Sequence, residues 1–160
     1  MKLYMKQKVF SFGDQFSVCD AAGNERYFVQ GEVFTFGKKL HITDLAGREV
    51  AFVKQELFTI LPTFHVLQNG VEVAKIYKEL TFFKPKYYVS GLGWDVDGHF
   101  LDHDYEISKN GRPIVTISKA WLSWGDTFEL DIADGQDVAI ALAVVLAIDC
   151  VLDAQQRNNN

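Results

Sequence analysis

The 160-residue sequence has few of the residues on which disulfide-linked and metal-clamped folds depend. Its two cysteines, Cys19 and Cys150, lie in different kinds of segment and lack CxxC spacing, which argues against a disulfide framework and indicates a reducing compartment. Only three prolines interrupt the chain. The segment Met1–Lys8 is charged and alternating, and no apolar stretch or cleavage site of a secretory signal follows it. We therefore expect a cytoplasmic protein.

Recognisable catalytic motifs are also missing. The sequence has no G-x-S-x-G, P-loop, HExxH or Rossmann glycine pattern, and neither cysteine is close to a histidine or a glycine-rich turn that would activate it. His41 and His65 fall in alternating segments, where a surface position or a hydrogen-bonded barrel position is more common than a catalytic base. We expect a protein that is not an enzyme and needs no cofactor.

Positive charge is scarce in the second half of the chain. The net charge is −5, and residues 1–90 carry 12 Lys and Arg against 9 Asp and Glu, whereas residues 91–160 carry 4 against 12. The net charge of residues 1–90 is therefore +3, and that of residues 91–160 is −8. A net acidic chain is a poor binder of nucleic acid, because such binding depends on neutralising phosphates. A local basic face remains open.

What the sequence does have is apolar and aromatic material arranged with a period of two. Hydrophobic residues make up 48% and aromatic residues 14%, enough for one domain over residues 1–160. Alternating segments separated by turn signals predict a closed antiparallel barrel over about residues 2–131. The strand candidates are 2–10, 15–20, 25–33, 38–43, 49–57, 63–68, 71–78, 85–90, 93–97, 100–108, 112–120 and 124–131.

Residues that tolerate positive φ separate these segments. The pairs Asn69-Gly70, Asp97-Gly98 and Asn110-Gly111 predict two-residue type I′ hairpins. Two longer turns, at residues 20–24 and 44–47, resemble each other, and we interpret this as repeated turn chemistry.

The hydrophobicity pattern changes after Gly135, because residues 138–148 are eleven consecutive apolar residues. Their length and alanine content predict a helix over about 136–154, capped by Asp134 and Asp137. A bilayer needs about 20 apolar residues, so we expect a helix that is buried in the barrel and not transmembrane. Replacing Asp149 by leucine should leave a soluble protein if Asp149 lies near the open end of the barrel.

Three stretches carry a resemblance to a known family: the opening Met5–Phe10, the aromatic segment Lys119–Leu130 with its K-x-W-x-S-W-x-D-x-F-x-L pattern, and the helix Asp137–Asp153. They resemble the LURP-one-related family, whose fold is the tubby C-terminal-like barrel. The resemblance implies twelve strands threaded by a C-terminal helix. Tubby proteins with this fold bind phosphoinositides, and phospholipid scramblases resemble it distantly. No stretch here matches the tubby phosphoinositide-binding residues, and the cysteine-rich stretch of scramblases is missing.

A basic, aromatic segment is the candidate lipid-binding site. Its residues are Lys75, Lys78, Lys84, Lys86, Phe82 and Phe83. The lysines would meet anionic headgroups, each contributing about 1 kcal/mol, while the phenylalanines enter the interface. The alternative is a pair of ordinary strands with lysines towards solvent and aromatic residues in the core.

Two acidic clusters are candidate metal sites, and we expect neither to bind a metal. The first comprises Asp95, Asp97, His99, Asp102, His103 and Asp104, and the second Asp131, Asp134 and Asp137. On a strand His99 and His103 would lie about 13 Å apart, too far for one ion to bridge. Helix capping accounts for the second cluster.

These observations leave several functions open. The chain is either a membrane-peripheral module that binds anionic, phosphoinositide-like lipids or an intracellular scaffold that binds a protein partner. Scramblase-like lipid handling is less favoured. Binding of a small apolar ligand inside the barrel is also less favoured, because the helix should fill that space.

Overall fold

The computed structural model describes residues 1–6, 15–79, 86–122 and 125–158. The strands are β1 (Lys2–Lys6), β2 (Gln15–Cys19), β3 (Glu25–Gly31), β4 (Lys39–Asp44), β5 (Glu49–Gln55), β6 (Thr63–Gln68), β7 (Val71–Glu79), β8 (Lys86–Ser90), β9 (Trp94–His99), β10 (Asp104–Lys109), β11 (Arg112–Leu122) and β12 (Gly125–Ile132). A short 3-10 turn, Phe100–Asp102, separates β9 from β10, and the helix α1 is Val138–Asn158.

The strands form one closed barrel in which each strand pairs with its neighbours in the sequence and β1 pairs with β12. Every pair is antiparallel, and the closing pair runs from Lys2 opposite Asp131 to Lys6 opposite Thr127. The N-terminal amine of Met1 donates a hydrogen bond to the carbonyl of Ile132 over 2.6 Å, which extends this closure by one residue. The predicted twelve-stranded antiparallel barrel is confirmed.

Strand periodicity sorts the side chains into an inner and an outer face. In β6 and β7, Phe64, Val66, Ala74 and Ile76 are buried, whereas the residues between them face outward. Where apolar residues occupy alternate positions along a strand, their burial fixes the register of that strand with its neighbours.

Two of the three predicted hairpin turns are confirmed. Asn69 and Gly70 have φ values of 51° and 75°, and Asn110 and Gly111 have values of 52° and 72°, as a type I′ turn requires. The third predicted turn, at Asp97-Gly98, is wrong, because Gly98 pairs with Tyr105 across β9 and β10.

Gly98 lies within β9, opposite Tyr105, rather than in a turn. Its φ is +137°, and a Cβ there would lie 2.6 Å from the Cα of Tyr105 and 2.7 Å from the carbonyl oxygen of Asp104. The reversal occurs at Phe100–Asp102, followed by His103 in the left-handed region. The glycine therefore allows two backbones to approach closely, and β10 begins four residues later than predicted, at Asp104.

The helix lies in the barrel core, where it contacts β5, β6 and β7. The helix begins at Val138, two residues later than predicted. Of the two predicted capping residues Asp137 is confirmed, since its Oδ1 accepts a hydrogen bond of 3.0 Å from the N–H of Ile140, whereas Asp134 lies four residues before the helix begins. The helix continues to Asn158, four residues past the predicted end at 154. The buried residues of α1 are Ala139, Ala141, Leu142, Ala143, Val144, Val145, Leu146, Ala147, Ile148, Asp149, Cys150, Val151 and Leu152.

By length and composition alone α1 could cross a membrane, but 78% of its most apolar stretch is buried inside the protein. A helix that is apolar on every side needs such an enclosure, and here the sheet supplies it. The helix occupies the space that a small apolar ligand would need inside the barrel.

Candidate functional site

The two ends of the barrel are built differently. Because all neighbouring strands are antiparallel, the connections that follow odd-numbered strands share one end, which we call the loop end. The connections that follow even-numbered strands share the other, the turn end. At the loop end, residues 32–38 and 56–62 form long loops, whereas at the turn end the Asn69-Gly70 and Asn110-Gly111 connections have two residues each. The helix begins at the turn end and finishes at the loop end.

Exposed apolar side chains concentrate at the loop end. Of the ten large hydrophobic side chains that are exposed among the described residues, seven lie there. They are Val33, Phe34, Phe36, Leu57, Phe58, Ile60 and Leu101. The loops 32–38 and 56–62 touch, since a Cβ on Gly37 would lie 2.8 Å from the Leu57 side chain. Six of the seven belong to these two loops, and an exposed apolar patch of this kind is typical of a protein or membrane contact.

Phe34 and Phe58 are the most unusual residues of this patch. Their φ values are 60° and 61°, a region that bulky residues rarely adopt. Such a conformation costs on the order of 1–3 kcal/mol, and both side chains are completely exposed, at 102% and 103% of the reference value. Neither ring recovers that cost by burial within the described part of the fold.

A sequence repeat of 24 residues builds the two loops. Glu32-Val33-Phe34-Thr35-Phe36 recurs as Glu56-Leu57-Phe58-Thr59-Ile60, and His41 and His65 follow at the same offset. The strained phenylalanines are therefore equivalent positions of one unit that occurs twice.

The repeat extends to the turn end. Asp20 and Asp44 are also 24 residues apart, and the Oδ1 of each accepts hydrogen bonds from two backbone N–H groups of its own turn. These bonds lower the pKa of both carboxyls. The repeated turn was predicted from the sequence, and the repeated loop was not. Comparing the chain with itself at an offset of 24 would have found both.

Each loop is tied to its barrel wall by a histidine and a glutamate nine residues apart. The Nε2 of His41 lies 2.7 Å from Glu32, and the Nε2 of His65 lies 2.9 Å from Glu56. The other ring nitrogens contact Glu49 and Glu72. Burial lowers the pKa of His41, but hydrogen bonds and charge from its two carboxylates outweigh this and raise it above its usual range.

A third hairpin has the same arrangement, with tyrosine in place of histidine. The hydroxyl of Tyr88 donates a hydrogen bond of 2.7 Å to Glu79, again nine residues away. The expectation that His41 and His65 are hydrogen-bonded barrel residues agrees with these contacts.

A basic row crosses the outer wall directly below the two loops. Lys39 of β4 pairs with Lys54 of β5, Lys54 pairs with His65 of β6, and His65 pairs with Lys75 of β7. Residues paired in this way share a face, and four neighbouring strands span roughly 14 Å. The four residues of this row are nonconsecutive in the sequence, and only Lys75 belonged to the predicted lipid site.

The remaining residues of that predicted site are not all brought together. Lys75 faces outward with its Nζ 3.6 Å from Glu56, and Lys86 lies 5.3 Å from the ring of Tyr88. Lys78 instead contacts the end of the helix, with its Nζ 3.5 Å from Gln155. Phe82, Phe83 and Lys84 lie outside the described residues.

The two acidic clusters do not converge in the part of the chain that the structure describes. Within residues 1–6, 15–79, 86–122 and 125–158, no group of three or more His, Cys, Asp or Glu is arranged to hold a metal ion. Asp137 instead caps the helix and accepts a hydrogen bond of 3.1 Å from Gln68.

One ionisable cluster lies inside the barrel and was not predicted. Asp149 is 2% exposed, and its Oδ1 lies 3.5 Å from the Nε2 of His103. Burial raises the pKa of Asp149 to about 8, whereas burial lowers that of His103, so burial disfavours the charged form of each group. Among the described residues, the Asp149 carboxyl and the buried hydroxyl of Tyr105 have no hydrogen-bond partner. His103 also stacks on Phe128, with the ring centres 4.3 Å apart.

Neither cysteine is activated. Burial raises the pKa of Cys150 to about 12 and raises that of Cys19 above its usual range. A thiolate nucleophile is therefore disfavoured at both positions.

The fold and this arrangement of loops define a class: a closed twelve-stranded antiparallel barrel around one C-terminal helix, with an apolar loop end. Residues 1–149 match the model of the LURP-one-related family, and the chain belongs to that family.

A relative and a solved structure agree with this assignment. The chain is 37% identical over 152 residues to the uncharacterized protein YxjI of Bacillus subtilis (strain 168), covering 95% of this chain and 94% of that protein. The X-ray structure of a protein from Arabidopsis thaliana has a TM-score of 0.64 at 17% identity, covering 93% of this chain and 90% of the other. The likeness to the Arabidopsis structure shows that the two proteins have the same fold.

Proposed function

We propose that this protein is a non-enzymatic, membrane-peripheral module of the cytoplasm, which docks its loop end on an anionic lipid surface without spanning the bilayer. The observation that carries the proposal is the pair of strained, fully exposed phenylalanines, Phe34 and Phe58, at the tips of two adjacent loops. Aromatic side chains presented in this way insert readily into the interfacial region of a membrane.

The charges near the loops support an anionic surface. The basic row of Lys39, Lys54, His65 and Lys75 lies directly below the apolar loops, where lipid headgroups would be when the phenylalanines are inserted. Glutamates contact three members of the row, and Lys54 is the member that makes no ion pair within the described part of the chain. Each lysine close to an anionic membrane contributes about 1 kcal/mol. The contact would be reversible and sensitive to salt.

Vesicle flotation with matched variants tests the proposal. Asparagine tolerates positive φ, so Phe34→Asn with Phe58→Asn removes both rings while preserving the backbone. Burying each ring is worth about 1.5–3 kcal/mol, and we expect the double variant to bind vesicles at least about a hundredfold more weakly. The control is Leu45→Asn with Val71→Asn, which removes exposed apolar side chains at the turn end and should change little.

The alternative is a scaffold whose loop end binds a protein. It would be favoured if the wild-type protein did not float with anionic vesicles at low salt. Binding that is equal for neutral and anionic vesicles and indifferent to salt would contradict the electrostatic part of the proposal.

A further inference from the structure

A groove lies between the apolar loops and the basic row, and it is lined by both apolar and basic side chains. Docking on a membrane surface does not by itself require such a groove. The groove has a volume of about 640 Å³ and runs along the outer wall between loops 32–38 and 56–62. Phe34, Phe36 and Leu57 form its apolar part, while Lys39 and Lys54 lie at its basic part. The groove is therefore amphiphilic over a short distance.

Lys39 and Lys54 are directly opposite each other on paired antiparallel strands. Like charges in this position destabilise a sheet, because their Cβ atoms are only about 4.5–5.5 Å apart. Glu32 lies 3.3 Å from the Nζ of Lys39 and offsets part of the repulsion. Lys54 is exposed, and within the described part of the chain it makes no ion pair.

Two glutamates lie beside these lysines, and both are paired with basic side chains. Glu56 also lines the groove, but it is held by His65 at 2.9 Å and by Lys75 at 3.6 Å. Glu32 is held by Lys39 and His41. Both carboxylates are thus engaged along the edges, and the uncompensated charge is on Lys54.

We infer that this groove binds the headgroup of a membrane lipid that carries a phosphate monoester, with its phosphate between Lys39 and Lys54 and its apolar part along Phe34, Phe36 and Leu57. A phosphate monoester has a charge of about −1.5 to −2 at neutral pH and three acceptor oxygens, which suits two lysines that face one another. The inference rests on the proposed function and adds a lipid class to it.

Vesicles of matched surface charge test this assignment. One set contains phosphatidylcholine with phosphatidic acid, which has a phosphate monoester, and the other contains phosphatidylcholine with phosphatidylserine, which does not. We expect the wild-type protein to bind the first more tightly. Lys54→Ala should weaken that binding about tenfold or more, because it removes a charge-assisted hydrogen bond. On phosphatidylserine the loss should be about fivefold at most, as expected for a general charge contribution.

Lys109→Ala is the control, because it removes the same charge from an exposed position at the turn end. It should leave the preference for phosphatidic acid intact, and thermal melts should show that both variants fold. An equal loss on both lipids, or an equal effect of the two variants, would overturn the inference while leaving membrane docking in place.

Inorganic phosphate, tested alone by titration calorimetry, should bind weakly. Tight phosphate binding that depends on Lys54, without any effect of Lys54→Ala on vesicle binding, would assign the groove to a free anion and overturn the lipid assignment. Absence of vesicle binding by the wild-type protein would refute the proposed function itself.

Discussion

Replacing Asp149 by asparagine is expected to stabilise this protein, although the residue is completely buried. Burial raises the pKa of Asp149 to about 8, from an ordinary value of 3.8, and the charge of Lys38 only partly opposes this. Between these two values the folded protein keeps a proton that the unfolded chain has lost. The folded state therefore binds more protons, and the free energy of unfolding falls as the pH rises from about 4 to about 8.

The expected gain in stability follows from the difference between these two pKa values. A solution at pH 7 lies about three pH units above the ordinary pKa of aspartate, and each unit corresponds to about 1.36 kcal/mol. Asparagine has nearly the same shape and does not ionise. We expect Asp149→Asn to raise the free energy of unfolding by about 4 kcal/mol at pH 7. The gain should shrink by about 1.4 kcal/mol for each pH unit towards pH 4.

Urea unfolding of both proteins at several pH values between 4 and 8 would measure the difference. Asp153→Asn is a suitable control, because Asp153 is one turn further along the helix, partly exposed, and paired with Lys38 and Arg157. A less stable Asp149→Asn protein at pH 7 would refute the reasoning. It would mean that Asp149 is ionised and paired with a charged His103, a buried pair whose loss costs about 3–5 kcal/mol.

Three further outcomes are expected. A chain ending at Gly135 should be unfolded or insoluble by circular dichroism and size-exclusion chromatography, because it loses seven buried Leu, Ile and Val side chains worth about 1.5–3 kcal/mol each; a folded, soluble product would contradict this. Gly98→Ala should lower the free energy of unfolding by more than about 1 kcal/mol, since its Cβ would clash with Asp104 and Tyr105, and an unchanged urea midpoint would count against the close approach. A metal chelator should leave the melting temperature unchanged, and a large drop would show that acidic residues bind a metal.

The barrel was predictable because its strands alternate and its helix does not. Buried positions such as Val66 and Ile76 recur every second residue, and the eleven-residue apolar run at 138–148 is too long for a typical strand. The turn at Asp97-Gly98 was predicted wrongly because the same dipeptide serves a hairpin turn or a close backbone contact, and only the pairing across β9 and β10 distinguishes them.

The candidate site was less predictable. The strand candidates 25–33 and 49–57 ran into the two loops, because valine, leucine and phenylalanine are typical strand residues and nothing local marks where β3 and β5 end. The basic row joins residues from four strands, so its members are separated in the sequence and meet only through register. Asp149 and His103 are likewise distant in the chain, and their proximity depends on the barrel enclosing the helix.

The closure of the barrel by its first and last strands constrains how the protein can be made. β1 pairs with β12, more than 120 residues away, and the helix that fills the interior follows β12. Helix α1 cannot easily be threaded through a barrel that has already closed. The sheet must therefore wrap around α1, and this step waits until the C-terminal segment has left the ribosome. Until then a growing open sheet presents its apolar face, together with two unpaired edges, to solvent. Such high contact order predicts slow folding.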